Sequence, residues 1–489
     1  MLVILSTEES RRLLDYFREA GYEEANIRLH LGAVELPSRQ LRNLPRLLDR
    51  TSEPTLLNAL LRWFWIQHSQ TAAQIAGLVP DELLSLLLKS GLLVTSDGTF
   101  SSTSLVMDSD GFLVAADPPG AFERGESEMV LWPNPTSKFL FRFAIRRHSR
   151  ATLDLGTGSG VLSLGASKFS DTVVATDLNR RAVACAKFNA KLNGVENIEV
   201  LAGDWFAPVE NRRFDLILSN PPFFITPQQG YMFCDNPMEL DGLCRRLVKE
   251  APPYLNEGGY LQVLCEWAEV DGQPWEERVA EWVEDTGCDA WVQKGLTEDP
   301  GEYAQRRIRD GSQKPEDDCR QFDEYMRYYR QRGVKAIHGG LIVMRRRAGT
   351  NWVRIEEVPK TPKGDLADLN LSVFAAQDLL LQIQDEESLL AIKPRLSPDA
   401  RLEQICVASG GHWTAESINL KLIRGYPFQM TLQPLVAEFL AGFDGSRTAE
   451  EAIRAFAAAA NAPLETVRHE SLGMIRKLID RGFMVVKPE

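Results

Sequence analysis

A chain of 489 residues with 44% hydrophobic content has room for about three domains of roughly 150 residues each and is ordinary in composition for a globular protein. Its net charge of -13 excludes coating nucleic acid by bulk electrostatics, and leaves only a local basic patch for that purpose. The seven cysteines, 185, 234, 244, 265, 288, 319 and 406, are odd in number and scattered, with no C-x-x-C pair and no histidine at ligand spacing, which argues against a disulfide framework and against a bound metal.

The first residues, Met1 to Leu5, turn polar too soon for a signal segment, and no later run approaches ~20 apolar residues; the expectation is a cytoplasmic chain with no membrane partner. Residues 1–104 carry amphipathic runs at 8–20, 39–49, 55–68 and 80–90, then a small hairpin across Asp97-Gly98, an order that predicts a helical, winged-helix-like domain. Residues 105–135 form a hairpin around Asp108 to Gly111 and a Pro-rich linker, "LWPNPTS". From 136 to 348 strand and helix signals alternate, the mark of an α/β, doubly wound, mostly parallel sheet. After "VPKTPKGD" the stretch 349–489 is mainly helical and closes on a short strand at Gly482 to Val486, so a second winged-helix-like module is expected there.

The chemistry sits in the alternating region. Ala151 to Leu155 is an apolar strand that runs into Gly156-Thr157-Gly158-Ser159-Gly160 and then a helical run from Val161. Residues without Cβ let a backbone approach a ligand closely. A dinucleotide fingerprint would place glycine where Val161 stands, so NAD or FAD is the weaker reading. A second strand ends in Asp177, roughly 20 residues past the glycine loop, the distance at which a carboxylate can accept both ribose hydroxyls. Asp204 and Trp205 follow the next strand in "LAGDWF". Asp154, Asp177 and Asp204 at three successive strand ends describe a pocket for a ligand with an amine, a ribose and an adenine but no phosphate. S-adenosylmethionine (SAM) is such a ligand.

A fourth strand, Phe214 to Leu218, ends in Ser219-Asn220-Pro221-Pro222-Phe223-Phe224. Together "DLGTGSGVLSL", "VVATDLN", "LAGDWF" and "FDLILSNPPFF" resemble the class I SAM-dependent methyltransferases, in their amino-methylating branch with an Asn-Pro-Pro-aromatic signature. That resemblance implies a seven-stranded Rossmann-like sheet and an N-methyltransferase. The nitrogen of a planar amino group has its lone pair delocalised. Two acceptors gripping its N–H groups draw it toward tetrahedral geometry and favour charge developing on it. The Asn220 side-chain oxygen and the Pro221 carbonyl can be those acceptors, Pro222 stiffens the corner, and Phe223 offers a face for stacking.

The resemblance leaves two acceptor classes open. "NPPFF" is similar to signatures of RNA adenine-N6 and guanine-N2 enzymes, whereas "ELDGLCRRLVKEAPPYLNEGGYLQVL" at 239–264 resembles the segment after the motif in release-factor glutamine methyltransferases. An insertion near 296–335 weighs toward a nucleobase in RNA or DNA. Residues 303–347 hold twelve Lys or Arg against six acids, interleaved with Tyr303, Phe322, Tyr325, Tyr328 and Tyr329, as in a groove that grips phosphates through Arg306, Arg307, Arg327 and Arg330 and stacks bases. The competing reading is a solvated helical face with an aromatic inner stripe. The first expectation is therefore nucleobase methylation. Methylation of a glutamine in a translation-related protein is the alternative, and a SAM-binding protein without chemistry is the rival from another class.

Overall fold

Strands buried on both faces read as near-continuous apolar runs, and such runs form the centre of the computed structural model, which describes residues 2–32, 43–227, 230–309, 315–383 and 385–486. One sheet gathers β1 (Ser149–Leu155), β2 (Ser170–Asp177), β3 (Ile198–Ala202), β4 (Phe214–Ser219), β5 (Leu255–Val270), β6 (Cys288–Glu298), β7 (Val334–Arg346) and β8 (Val353–Glu357). Their order is β8-β6-β7-β5-β4-β1-β2-β3. Neighbours from β3 to β5 pair in parallel, whereas β7 runs antiparallel to both β5 and β6. The order reverses at β1, between β2 and β4, and a crevice at the carboxyl ends of strands is expected at such a point.

The sheet has eight strands where seven were expected. The extra edge strand, β8, is half-exposed and rich in charge, the composition that protects an edge from further pairing. It is fastened by Ala290 N donating to Trp352 O at 2.9 Å and by Trp291 Nε1 donating to Glu356 Oε1 at 3.0 Å.

The helices that shape the site are α1 (Pro135–Phe143), α2 (Val161–Ala166), α3 (Arg180–Leu192), α4 (Gly242–Glu250), α5 (Trp275–Val283), α6 (Pro300–Arg309) and α7 (Pro315–Gln331). Asn179 caps α3 by accepting from Arg181 N at 2.8 Å, which satisfies one of the donors a helix start leaves open. The inserted helices α6 and α7 stand between β6 and β7; residues 310–314 between them lie outside the described residues.

The chain divides into two compact units, Met1–Phe141 with Arg146–Glu356, and Arg142–Ile145 with Glu357–Glu489. In the first unit, helices Thr7–Glu19, Leu56–Phe64 and Asp81–Lys89 precede the hairpin Leu93–Ser96 and Thr99–Ser102. Thr7–Glu19 starts from a reciprocal cap in which Ser6 N donates to Glu9 and Glu9 N donates to Ser6 Oγ, an arrangement that satisfies two exposed donors at once. The core there, with Leu13, Phe17, Trp63 and Leu87, runs on to Phe188 and Leu192 of α3. Of the helix expected over 39–49, residues 44–49 fall in Leu44–Arg50 and 39–42 lie outside the described residues.

The second unit holds helices Ala367–Gln382, Glu386–Ala391, Pro434–Ala441, Ala449–Ala459 and Leu464–Asp480 around Leu440, Ile453, Ile475 and Leu478. To these it adds an antiparallel sheet of Ala400–Ser409, His412–Leu422 and Gln429–Thr431. Its last strand, Met484–Val486, pairs with Pro394–Leu396. Among the described residues no helix is long and apolar enough to cross a membrane.

Candidate active site

The loops leaving β1, β2, β3 and β4 surround one cavity of about 530 Å³, within the size range of small-molecule and cofactor sites. Gly156, Gly158, Asp177, Asp204, Trp205, Asn220, Pro221, Pro222 and Phe223 all line it. Two residues of the sequence reading do not. Asp154 is fully buried behind the glycine loop, where its Oδ2 accepts from Thr157 Oγ1 at 2.6 Å and from Ser163 N at 3.0 Å. Burial pushes its carboxyl up to about 6. It ties the loop to α2 and does not line the cavity where the three-carboxylate reading placed it. Gly160 also turns away from the cavity, against α3.

The loop takes its shape from backbone bonds. Gly156 N and Thr157 N both donate to Thr176 O at 2.9 Å, and Gly160 N donates to Thr157 O at 2.9 Å. Gly158 has φ +56, and a Cβ built there would meet nothing within 4 Å, so the floor above the backbone is open to a ligand. At Gly160, φ is +84 and a Cβ would lie 3.2 Å from both Cα and Cβ of Ala186. Gly160→Ala should therefore destabilise the fold by roughly 1–3 kcal/mol, read as a lower thermal midpoint. An unchanged midpoint would mean the loop can rearrange freely.

Asp177 closes the cradle from β2. Its Oδ2 accepts from Gly158 N at 2.9 Å and its Oδ1 from Asn179 N at 2.8 Å. Burial raises its pKa against these bonds, which lower it. From β3, Trp205 sits in the left-handed region at φ +55, unusual for a bulky residue and a mark of an over-determined position. Its indole is held by Glu250 at 2.7 Å and by the Arg246 guanidinium 4.9 Å from its centroid. An open glycine floor, a carboxylate at the second strand end and an aromatic wall, with no further glycine at Val161, fit the ribose and adenine of SAM and offer little to a pyrophosphate.

At the fourth strand end, Ser219 Oγ donates to Leu155 O at 2.8 Å and ties the corner to β1. The Asn220 Nδ2 donates to Ser137 Oγ at 3.2 Å and more weakly to Thr136 Oγ1 at 3.4 Å. With the amide nitrogen so occupied, Oδ1 is the end of Asn220 left to accept. Thr136 and Ser137 are themselves set by Asn134, whose Oδ1 accepts from Thr136 Oγ1 at 2.6 Å and Ser137 N at 2.8 Å at the start of α1. These three residues also line the cavity. The sequence reading treated "LWPNPTS" as a linker; an Asn followed by Pro and two hydroxyl residues is a helix-start signal that could have marked them.

The insertion departs from the groove that its composition suggested. Tyr303 and Tyr329 are fully buried and present no platform for bases, and Phe322, Tyr325 and Tyr328 are partly buried against the same cluster. Arg306 pairs with Glu298, Arg307 with Glu266, Arg332 with Glu239 and Lys335 with Asp271. Arg345 and Arg347 share the buried Asp289. Arg327 and Arg330 stay exposed on α7.

Known proteins place this stretch in context. Residues 133–270 match the family model described as methyltransferase small domain, and residues 372–486 match a domain of unknown function, DUF7782. A release factor glutamine methyltransferase of Xylella fastidiosa is 34% identical over 157 residues, 29% of this chain and 57% of that protein. A Methanocaldococcus jannaschii protein, provisionally named a protein N5-glutamine methyltransferase, is 34% identical over 142 residues, 28% of this chain and 71% of that protein. A ribosomal RNA small subunit methyltransferase C of Alcanivorax borkumensis is 31% identical over 113 residues, 23% of this chain and 31% of that protein. The chain spans 36% to 58% of the length of the release factor enzymes it matches.

Proposed function

The chain belongs to the SAM-dependent methyltransferases, as a member carrying the methyltransferase small domain, and on that premise we propose that it methylates the side-chain amide of a glutamine in a protein of the translation machinery. The observation that carries the reading is the set of Asn220, its amide nitrogen held by Ser137 and Thr136 at the cavity wall, which leaves Oδ1 to accept an N–H.

Bound SAM supplies an electrophilic methyl on a sulfonium. The residues of the chain do the rest. Gly158 and Asp177 would hold the cofactor's backbone-facing edge and ribose, and Trp205 its base. Asn220 Oδ1 and the Pro221 carbonyl accept both N–H groups of the substrate amide and favour positive charge developing on its nitrogen. Pro221 and Pro222 keep those acceptors from reorganising during transfer, and Phe223 covers the flat amide. The surplus proton leaves after the methyl has moved, so no general base is needed.

Glutamine is preferred to a nucleobase for two reasons. Relatives across this region are named for glutamine, and several cations of the insertion are paired with carboxylates while Tyr303 and Tyr329 are buried in a core. The N-terminal helices support this choice. In the winged-helix-like reading the recognition helix is Pro80 to Ser90, observed as Asp81–Lys89, whose Glu82 is paired with Arg12 and whose Lys89 is paired with Glu9; a scaffold or protein-contact role suits it, in the cytoplasm where translation occurs. The nucleobase reading keeps the likeness of "NPPFF" to RNA methyltransferase signatures, the exposed Arg327 and Arg330 and the relative named for ribosomal RNA.

The test is labelled SAM incubated with a bacterial release factor, ribosomal RNA and DNA in parallel. The expected result is label in protein, placed on a glutamine by tandem mass spectrometry. Label in RNA or DNA alone overturns the glutamine reading, and no label anywhere favours a binding protein without chemistry. A second measurement bears on the same choice: single-stranded RNA should not bind detectably at low salt. Binding whose log K falls with log salt by about 0.7 per contact, and flattens in the Arg327→Ala, Arg330→Ala double variant, would restore the nucleobase.

A further inference from the structure

Beneath the segment that leaves the Asn-Pro-Pro-Phe-Phe corner lies a group of side chains that SAM binding and amide recognition leave unused. Ile225, next after Phe224, is fully buried, and both of its backbone groups are met by side chains of the inserted helices. Ile225 N donates to Tyr303 Oη at 3.1 Å, and Tyr329 Oη donates to Ile225 O at 2.8 Å. Tyr303 Oη donates in turn to the Glu266 carboxylate, whose other oxygen lies 3.6 Å from the Arg307 guanidinium. That guanidinium lies over the Phe224 ring, 3.0 Å from the centroid.

Stability alone does not call for this chemistry. A buried ion pair loses desolvation energy that apolar side chains of similar volume would not lose, and replacing one by hydrophobic packing is often neutral or stabilising. Directional partners do something a hydrophobic filling cannot: they fix where the backbone after Phe224 runs. Phe223 and Phe224 meet edge-on, with centroids 5.3 Å apart, and both line the cavity. A shift at Ile225 is thus passed to the two rings and to the Pro221 carbonyl a few bonds upstream.

We propose that Tyr303, Tyr329 and Arg307 are positioning residues for the methyl-accepting corner: the inserted helices clamp the backbone after Phe224 so that Asn220, Pro221 and Phe223 hold their geometry during transfer. The inference rests on the reading of Asn220 to Phe223 as the acceptor site. It gives the insertion a task that its charge and aromatic content, counted along the sequence, did not suggest.

Tyr303→Phe removes one hydroxyl and keeps the ring, and Tyr329→Phe does the same on the carbonyl side. Two readouts are taken on each full-length variant, with turnover counted per SAM-binding site so that unfolded protein does not enter. Hydrogen exchange of the amides at 223–226 should accelerate about fivefold, as expected for the loss of a bond worth about 1 kcal/mol. Turnover on whichever acceptor the wild type methylates should fall about tenfold to a hundredfold, with SAM affinity unchanged, since misplacing reacting groups by about 1 Å costs on that order. Arg307→Lys, which keeps the charge for Glu266, should retain more turnover than Arg307→Met. Unchanged exchange at 223–226 overturns the clamp, and so does unchanged turnover with accelerated exchange. The exchange arm needs no acceptor, so failure of the glutamine reading and failure of the clamp are seen separately.

Discussion

Asn220→Ala should leave SAM affinity where it is and cut turnover about 10²-fold to 10³-fold, the usual cost of deleting one preorganised polar group aimed at developing charge. The reasoning is differential. Asn220 Oδ1 gains most when the acceptor nitrogen becomes positive, so its loss falls on the transition state and appears in kcat. The residues assigned to the cofactor, Gly158 and Asp177, lie on other loops of the cavity and stay intact. Because Ser137 Oγ and Thr136 Oγ1 only orient Asn220, the Ser137→Ala, Thr136→Val pair should lose less, on the order of tenfold in kcat, one neutral hydrogen bond being worth about 1 kcal/mol. Single-turnover assays with saturating SAM and calorimetric titration of SAM separate the two effects. Full turnover in Asn220→Ala would make the corner a structural element and nothing more.

How far the chain could be read before its structure depends on where each signal is stored. The strands β1, β2 and β4 were legible because parallel strands are covered on both faces and their apolar runs carry no interruption. Asp177 and Asn220 were legible because a polar residue at the end of such a run has a single plausible place, the mouth of the crevice. Asp154 obeyed the same local rule and misled. Its carboxylate turns back onto Thr157 and Ser163, and nothing in a linear pattern distinguishes a carboxylate that faces a ligand from one that braces the loop holding it.

The largest misreading came from counting charge in a window. Within 303–347 the cations outnumber the acids by two to one, yet the partners of Arg306, Arg307, Arg332, Lys335, Arg345 and Arg347 are Glu298, Glu266, Glu239, Asp271 and Asp289, all outside that window. Folding brings them in from neighbouring strands and the motif loop. Ser137 was missed for the related reason that it meets Asn220 across a long stretch of chain, with |i−j| of 83. Pairing across the fold is a tertiary property, and composition reports only the half of each pair it happens to include.

Asp177→Ala should raise the dissociation constant for SAM about 10²-fold or more while leaving the sheet folded. A hydrogen bond to a charged group is worth about 1.5–3 kcal/mol, and each 1.4 kcal/mol is tenfold in affinity, so losing a carboxylate that can accept two ribose hydroxyls accounts for that change. The same carboxylate holds Gly158 N and Asn179 N, so part of the loss will come from a loosened glycine loop. Asp177→Asn isolates the charge: its amide oxygen can keep one backbone partner while the negative charge is gone, and its affinity should fall between wild type and Ala. The pH dependence supplies an independent check. Burial raises the Asp177 pKa, and the protonated form has one acceptor oxygen fewer for the ribose. Wild-type affinity should therefore weaken as pH falls, starting at a higher pH than for an exposed aspartate, and the Asp177→Asn and Asp177→Ala profiles should be flat over the same range. Isothermal titration across a pH series measures all three. A wild-type profile as flat as that of the variants, or an unchanged affinity in Asp177→Ala, would remove Asp177 from the cofactor site and with it the assignment of β2 as the ribose-binding strand.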